Sequence, residues 1–295
     1  MTDMRKQKFI EISKSCLLDS DYKAAFSELG LTSIDAVFSF SAGRNLAKDN
    51  LARYRTRLQF EINLPAVTVS LKRYDKPPVL VQLRSWLSTH RRVSCGVFGF
   101  SAASELAAAG INTPKTLFYG EQWEAFFEKR SFIITEEIPN AESLERQLPD
   151  FFKGTTTVEK LKLRRSFISQ FAGFIRRFHD TNYRHRDLYF SHIFYSNDSD
   201  FYLIDLARAF KPIVFSRRFR IKDIAQLYYS APAKYFTRTD RLRFYLSYTP
   251  VLAFARKHGG RLNRKDKAFI RRVMNKARRM ARHDVKHGRS VPFES

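Results

Sequence analysis

The sequence predicts an α+β protein of two lobes, with an antiparallel, sheet-rich N-terminal part over residues 1–138 and a mainly helical C-terminal part over 139–295. Three observations lead there. Alternating apolar runs joined by short polar loops crowd the N-terminal half, the pattern of an antiparallel sheet. Long stretches with helical apolar spacing fill the C-terminal half. The 295 residues are 44% hydrophobic, with 28 Phe and 13 Tyr, which is enough apolar surface to bury a sizeable core.

Residues 1–34 read as helical and polar, with apolar positions at Phe9, Ile12, Leu17 and Leu18 and a stop at Gly30. AVFSF (36–40) alternates like a strand, and the polar loop SAGRNLAKDN follows. YRTRLQFEI and, after Pro65, VTVSLKRY alternate again. FGFSAASELAAAGI (98–111) predicts a helix N-capped by Ser101 or Ser104 and stopped at Gly110. TPKTLFYGE and RSFIITEEI predict two more strands, and 158–180 predicts a long amphipathic helix. Short extended pieces at His192–Tyr195 and Phe201–Ile204 interrupt the helices that follow.

Lys and Arg number 53 against 29 Asp and Glu, a formal charge of +24, so an anionic partner is expected. Nucleic acid, anionic lipid and phosphorylated glycan all meet that demand. No zinc spacing, helix-turn-helix or Lys/Arg-Gly-Phe motif supports nucleic acid, so none is expected as a partner. Cys16 and Cys95 fit no metal-ligand spacing and read as buried, reduced thiols. The start MTDMRKQKFIEIS lacks the apolar stretch of a secretory signal, and no run of about 18 apolar residues predicts a membrane span.

Four segments carry chemistry by their order. Lys72 ends an alternating strand, Glu105 lies in the next helix, His185-Arg186-Asp187 follows a long helix, and Asp205 closes the short strand FYLID. Taken singly each is weak, since a strand-end Lys is most often a solvated surface residue. Phosphoryl transfer needs this set together: a lysine on the phosphates, an acid to fix that lysine, a carboxylate for Mg²⁺, and another to orient the attacking hydroxyl and take its proton. Lys72, Glu105, Asp205 and Asp187 fill those roles in that order.

On these residues the chain resembles the Kdo/WaaP-type lipopolysaccharide kinase family, a branch of the protein-kinase-like superfamily. HRDLYFSHIF followed by FYLIDLARA is the most specific stretch, and SELAAAGINTP is similar too. The resemblance implies a protein-kinase-like two-lobed fold and an ATP- and Mg²⁺-dependent kinase. The acceptor it implies is a sugar hydroxyl, on heptose or Kdo, of a lipid-linked anionic glycan, the lipopolysaccharide inner core. It also implies a cytoplasmic protein, peripheral on the inner face of the inner membrane. Protein kinases carry Asn, a Mg²⁺ ligand, where this chain has His192, a departure shared with the lipopolysaccharide kinases. A metal ligand and a histidine hydrogen-bonded near Asp205 are both open for it. The glycine-rich loop is reduced to Gly43, with Arg44 or Lys48 to supply charge. Adenine is expected against backbone near Glu136–Ile138. Asp223, in RIKDIAQLYYS, resembles the aspartate that braces the catalytic loop. Tyr189 stands where protein kinases have a Lys, so a peptide acceptor is disfavoured.

Residues 256–295 hold 14 Lys/Arg against 3 Asp/Glu. DKAFIRRVMNKARRMARH sets Phe269, Ile270, Val273, Met274, Ala277, Met280 and Ala281 on one helical face. That face packs on the lobe, and its cationic back either stays solvated or meets an anionic membrane surface. Arg217, Arg218 and Arg220 lie nearer the expected catalytic loop. The alternatives to a core kinase are a catalytically dead kinase-fold module binding anionic lipid or glycan, and a kinase for another small-molecule acceptor.

Overall fold

The structure, a computed structural model, describes residues 8–46, 52–63, 66–89, 91–152, 157–249 and 262–292. Two compact units divide the chain. One comprises Met1–Ala107 with Thr113–Pro139, the other Ala108–Asn112 with Asn140–Ser295.

The first unit is built on a seven-stranded, wholly antiparallel sheet. Its strands are β1 (Phe9–Ser13), β2 (Cys16–Asp19), β3 (Arg44–Asn45), β4 (Arg55–Asn63), β5 (Ala66–Asp75), β6 (Thr116–Glu124) and β7 (Phe127–Glu136), in the order β1-β2-β6-β7-β5-β4-β3. Period-2 alternation decides the faces. Leu58, Phe60 and Ile62 of β4, Val69 and Leu71 of β5, and Phe132 and Ile134 of β7 point into one core with Phe26, Leu31 and Val37. Those last residues belong to or follow two short helices, α1 (Lys23–Glu28) and α2 (Ile34–Ser39). The opposite face carries α4 (Cys95–Ala108), seated so close that a Cβ on Gly96 would lie 2.7 Å from the Phe132 carbonyl oxygen. Helix α3 (Val79–Thr89) lies where the sequence reading places no element.

Three expectations need correction. Residues 9–19 form the β1–β2 hairpin rather than a helix: Ser15 turns the chain at φ 59°, and β2 is claimed by β6, with Cys16 opposite Gly120. AVFSF falls in α2 rather than a strand, because Ser33 Oγ accepts the Ala36 N–H at 3.1 Å and caps a helix there. Helix α4 starts earlier than FGFSAASEL, its cap being Ser94, whose Oγ accepts from Val97 N–H; Ser101 and Ser104 lie inside it. Buried Glu128 also accepts the Cys95 N–H at 2.9 Å, placing a carboxyl group at the positive end of α4. Lys48 lies outside the described residues.

In the second unit, β8 (Ala141–Ser143), β9 (Ile193–Ser196) and β10 (Phe201–Leu203) make a small antiparallel sheet. The helices are α5 (Leu144–Phe151), α6 (Val158–Asp180), α7 (Ser216–Ser230), α8 (Arg238–Tyr248) and α9 (Arg264–Lys286). Helix α6 buries Phe167, Ile168, Phe171, Phe174, Ile175 and Phe178 at helical spacing. Phe201 of β10 packs its ring against Phe167, Phe171, Phe174 and Tyr195, within 4.7–5.6 Å, and so seats the β9–β10 hairpin on α6. Helix α9 opens with an Asn263–Asp266 capping box and buries Val273, Ala277 and Ala281, leaving Arg271, Arg272, Arg278, Arg279 and Arg282 exposed. Cys16 and Cys95 are free thiols, and burial pushes both above the ordinary range, Cys95 with help from Glu128.

Candidate active site

The segment Tyr183–His192 has almost no regular structure, so its backbone must find partners elsewhere. One face of α7 supplies them. Asp223, with no exposed surface, accepts the N–H groups of His185 and Arg186 at 2.9 Å each. Gln226 accepts the Leu188 N–H at 3.1 Å and donates to the Arg186 carbonyl at 2.8 Å. Ser230 Oγ accepts the Phe190 N–H at 3.1 Å, and Lys222 Nζ donates to the same Arg186 carbonyl. Positions 222, 223, 226 and 230 share one side of a helix, so a single rigid element fixes the loop. Asp223 thus braces the loop where the resemblance expects it, whereas Lys222, Gln226 and Ser230 were not singled out. Their signal is polar residues at helical spacing among the buried positions of α7.

Beneath the loop His179 continues the chain of contacts. Its Nε2–H points at Asp223 Oδ2 (3.3 Å), and its Nδ1 accepts from Tyr248 O–H (2.8 Å). Burial holds the His179 pKa below its ordinary value despite the carboxylate beside it, and burial raises Tyr248 so that its hydroxyl stays a donor. Burial alone would raise Asp223, but the donors around it outweigh that and hold it below the usual carboxylate range. Arg184, 1% exposed, spends its guanidinium on the His179 and Tyr183 carbonyls and on Ser216.

The outcome is a concentration of charge at the loop's end. Asp187 is met by Arg208, whose Nη1 donates to Oδ2 at 2.7 Å, and by Lys222, 3.9 Å from Oδ1. The β9–β10 register, Ile193 opposite Leu203, brings His192 beside Ile204, whose N–H donates to the His192 carbonyl at 3.1 Å. Asp205 follows in the left-handed region (φ 56°, ψ 52°), and Arg186 sits at φ 71°. Non-glycine residues held there store strain, and such strain collects at functional sites.

His192 Nδ1 lies 2.8 Å from the Asp187 carbonyl oxygen, which can only accept, so the proton sits on Nδ1. Nε2 faces Asp205 Oδ2 at 3.9 Å. No cluster of three or more acidic, His or Cys side chains among the described residues could hold an ion alone. The Asp205 carboxylate is the oxygen donor that fits a Mg²⁺ held by one or two protein ligands, with water and phosphate oxygens in the remaining positions.

Asp187, His192 and Asp205 are thus brought together within the second unit. The other expected residues belong to the first. Lys72 is half-buried on β5 opposite Ile133, on the face away from the core; Gly99 of α4 approaches Ile133 on that same face, and Glu105 is an exposed position of α4. Gly43, at φ 109°, precedes β3 where a Cβ would lie 2.5 Å from the Gln59 carbonyl oxygen, so only glycine fits. At the end of β7, the Glu136 N–H donates to Lys115 O and the Glu137 N–H to Thr68 O, while the Glu136 carboxylate accepts from Tyr22 O–H; half-buried Ile138 follows. Arg217, Arg218 and Arg220 lie in the first turns of α7, ahead of the loop-binding face. A separate apolar cavity of about 520 Å³, lined among others by Phe167, Phe171, Leu227 and Met274, contains none of these groups.

Comparison with known proteins adds to this geometry. The chain is 32% identical over 172 residues to the lipopolysaccharide core heptose(I) kinase WaaP of Pseudomonas aeruginosa, covering 55% of this chain and 63% of that one. Against the enzyme of the same name from Escherichia coli it is 29% identical over 174 residues, covering 57% and 59%. The matches therefore span about three fifths of those relatives. Among solved structures, one described as WaaP in complex with acyl carrier protein superposes with a TM-score of 0.66 at 23% identity, over 90% of this chain and 99% of that one. The α+β, protein-kinase-like fold expected from the sequence is the fold observed. A sequence model of the lipopolysaccharide kinase (Kdo/WaaP) family matches residues 94–248, more than half the chain, and the protein belongs to that family.

Proposed function

We propose that the chain is an ATP-dependent kinase that phosphorylates a sugar hydroxyl, on heptose or Kdo, of the lipopolysaccharide inner core. The observation that supports this best is the convergence of Asp187, His192 and Asp205 inside the segment the family match covers. In this scheme Asp187 orients the acceptor hydroxyl and takes its proton as the new oxygen–phosphorus bond forms and ADP departs. Arg208 leaves Asp187 at small cost, because exposed ion pairs are worth roughly 0–1 kcal/mol. Lys72, steadied by Glu105, holds the phosphates. The backbone at Gly43 approaches them, and adenine lies along Glu136–Ile138. Asp205, with His192 beside it, would hold Mg²⁺, which supplies charge neutralisation on the phosphates when bound.

The test is phosphate transfer from ATP to purified inner-core lipopolysaccharide. Asp187→Ala and Asp205→Ala should each lose at least about 10³-fold in kcat with folding intact. Full activity in both would remove the mechanism. ATP binding without transfer would point to another small-molecule acceptor, and no ATP binding to a dead, anion-binding module. The +24 charge suits a phosphorylated, lipid-linked acceptor and a peripheral position on an anionic membrane face. Acyl carrier protein, the partner of the solved neighbour, extends to this chain as a further candidate, which co-purification would test.

A further inference from the structure

Helix α3 is turned inside out for a surface helix. Among its described side chains the one that is buried is polar: Gln82 donates to the Pro77 carbonyl at 2.8 Å and accepts the Glu128 N–H at 2.8 Å. Its outer face, at spacing i, i+3, i+4, i+7, reads Leu80, Leu83, Arg84, Leu87, and Leu80 and Leu87 are 67% and 76% exposed. Val79 and Phe126 extend the apolar surface at 45% and 54% exposed. An aromatic group borders it. Trp86 stacks on Phe127 at 5.8 Å, with Trp123 at 6.2 Å and Phe126 at 5.3 Å, and the Arg92 guanidinium lies 4.5 Å from the rings of Trp123 and Phe126.

Soluble monomers seldom display contiguous apolar side chains of this kind without a use for them. The charge around the patch selects the use. Residues 76–93 contain Lys76, Arg84, Arg91 and Arg92 and no acidic residue, which outweighs exposed Glu124 between Trp123 and Phe126. A second copy is a poor occupant, because a two-fold contact would set Arg84 and its neighbours against themselves. An anionic lipid surface meets every feature at once: leucines for the acyl boundary, tryptophans for the interface, and arginines for the headgroups. We infer that α3 with Phe126 is the surface by which this protein docks on an anionic bilayer. It deepens, and in that respect rests on, the peripheral placement proposed above, and it locates the contact away from the basic helix α9.

Trp86 and Trp123 are the chain's two tryptophans, so tryptophan emission reports this patch alone. The full-length protein is mixed with phosphatidylcholine vesicles, with or without phosphatidylglycerol. Co-sedimentation and a blue shift are expected only with the anionic vesicles. Leu80→Ser/Leu87→Ser, at exposed positions that leave the core untouched, should weaken binding at least tenfold; Arg84→Glu should abolish the preference for anionic lipid. Arg271→Glu/Arg272→Glu in α9 should change nothing. Unaltered binding by the leucine variant, or loss in the α9 variant, overturns the proposal. So does a wild type that ignores vesicles but forms a dimer which the leucine variant dissolves. Phosphorylation of lipid-free core oligosaccharide separates the two ideas. The leucine variant should match wild type there, and if wild type itself is inactive while vesicle binding holds, the kinase reading falls and the docking surface stands.

Discussion

Asp223 carries three N–H donors on one carboxylate with no solvent to help, and that arrangement makes it the most demanding single position in the second unit. Asp223→Asn keeps the volume but offers only one acceptor oxygen, so we expect about 2–4 kcal/mol of lost stability, seen as a lower urea midpoint, together with slower turnover. Lys222 touches both the Arg186 carbonyl and Asp187, so under the proposed function it would act as a positioning residue. Lys222→Met should cost about 10²-fold in kcat with KM for ATP little changed, and Lys222→Arg should recover part of it. His179 gives a pH dependence. Its folded pKa is lowered by burial, so below about 6.5 the unfolded chain takes up a proton that the folded chain refuses, and stability falls with pH until the folded pKa is passed. Melting temperature should drop by several degrees between pH 7.5 and 5.5. His185, also buried with its pKa held down, shares this behaviour, so His179→Asn should lessen the slope, and an unchanged slope would place the proton uptake elsewhere.

At the scale of elements, what was legible depended on who supplies the hydrogen bonds. Strands β4 and β5 show plain alternation, β7 a short apolar run, and helix α6 a continuous apolar stripe, so pattern alone finds them. The β1–β2 hairpin and α2 are short, and each is decided from outside its own sequence: β2 by pairing with β6, α2 by one cap from Ser33. Helix α3 is hidden for a different reason, since apolar side chains on its outer face blur the stripe that marks an ordinary surface helix. Close packing makes its own forecast. Gly96→Val would force side-chain atoms into the Phe132 backbone and should destabilise the first unit by about 1–3 kcal/mol, measurable as a lower denaturation midpoint.

For the molecule as a whole, charge and motif order were the readable quantities. Asp187 and Asp205 could be picked out because each stands in a short pattern, His-Arg-Asp or Ile-Asp-Leu, next to a change of secondary structure, and Asp223, inside α7, because RIKDIAQLYYS resembles the family's segment. Arg208 on Asp187 and His192 Nε2 beside Asp205 could not, because both arise from the fold around β9–β10. Among the described residues no helix is long and apolar enough to cross a membrane. Surface charge of this size is screened over about 10 Å at 0.1 M salt. KM for anionic core lipopolysaccharide should therefore rise several-fold between 50 and 500 mM NaCl, while KM for ATP moves less.

The dependence of the loop on α7 also has a consequence in time. Residues 185–190 borrow their hydrogen-bond partners from positions 36–40 places further along the chain. While the nascent chain ends before Ser216, the His-Arg-Asp motif exists as letters without geometry. Closing a loop of that length costs entropy before any contact repays it. In pulse-labelled refolding, the amides of His185, Arg186, Leu188 and Phe190 should gain protection together with those of α7, well after the β4–β5 hairpin has formed.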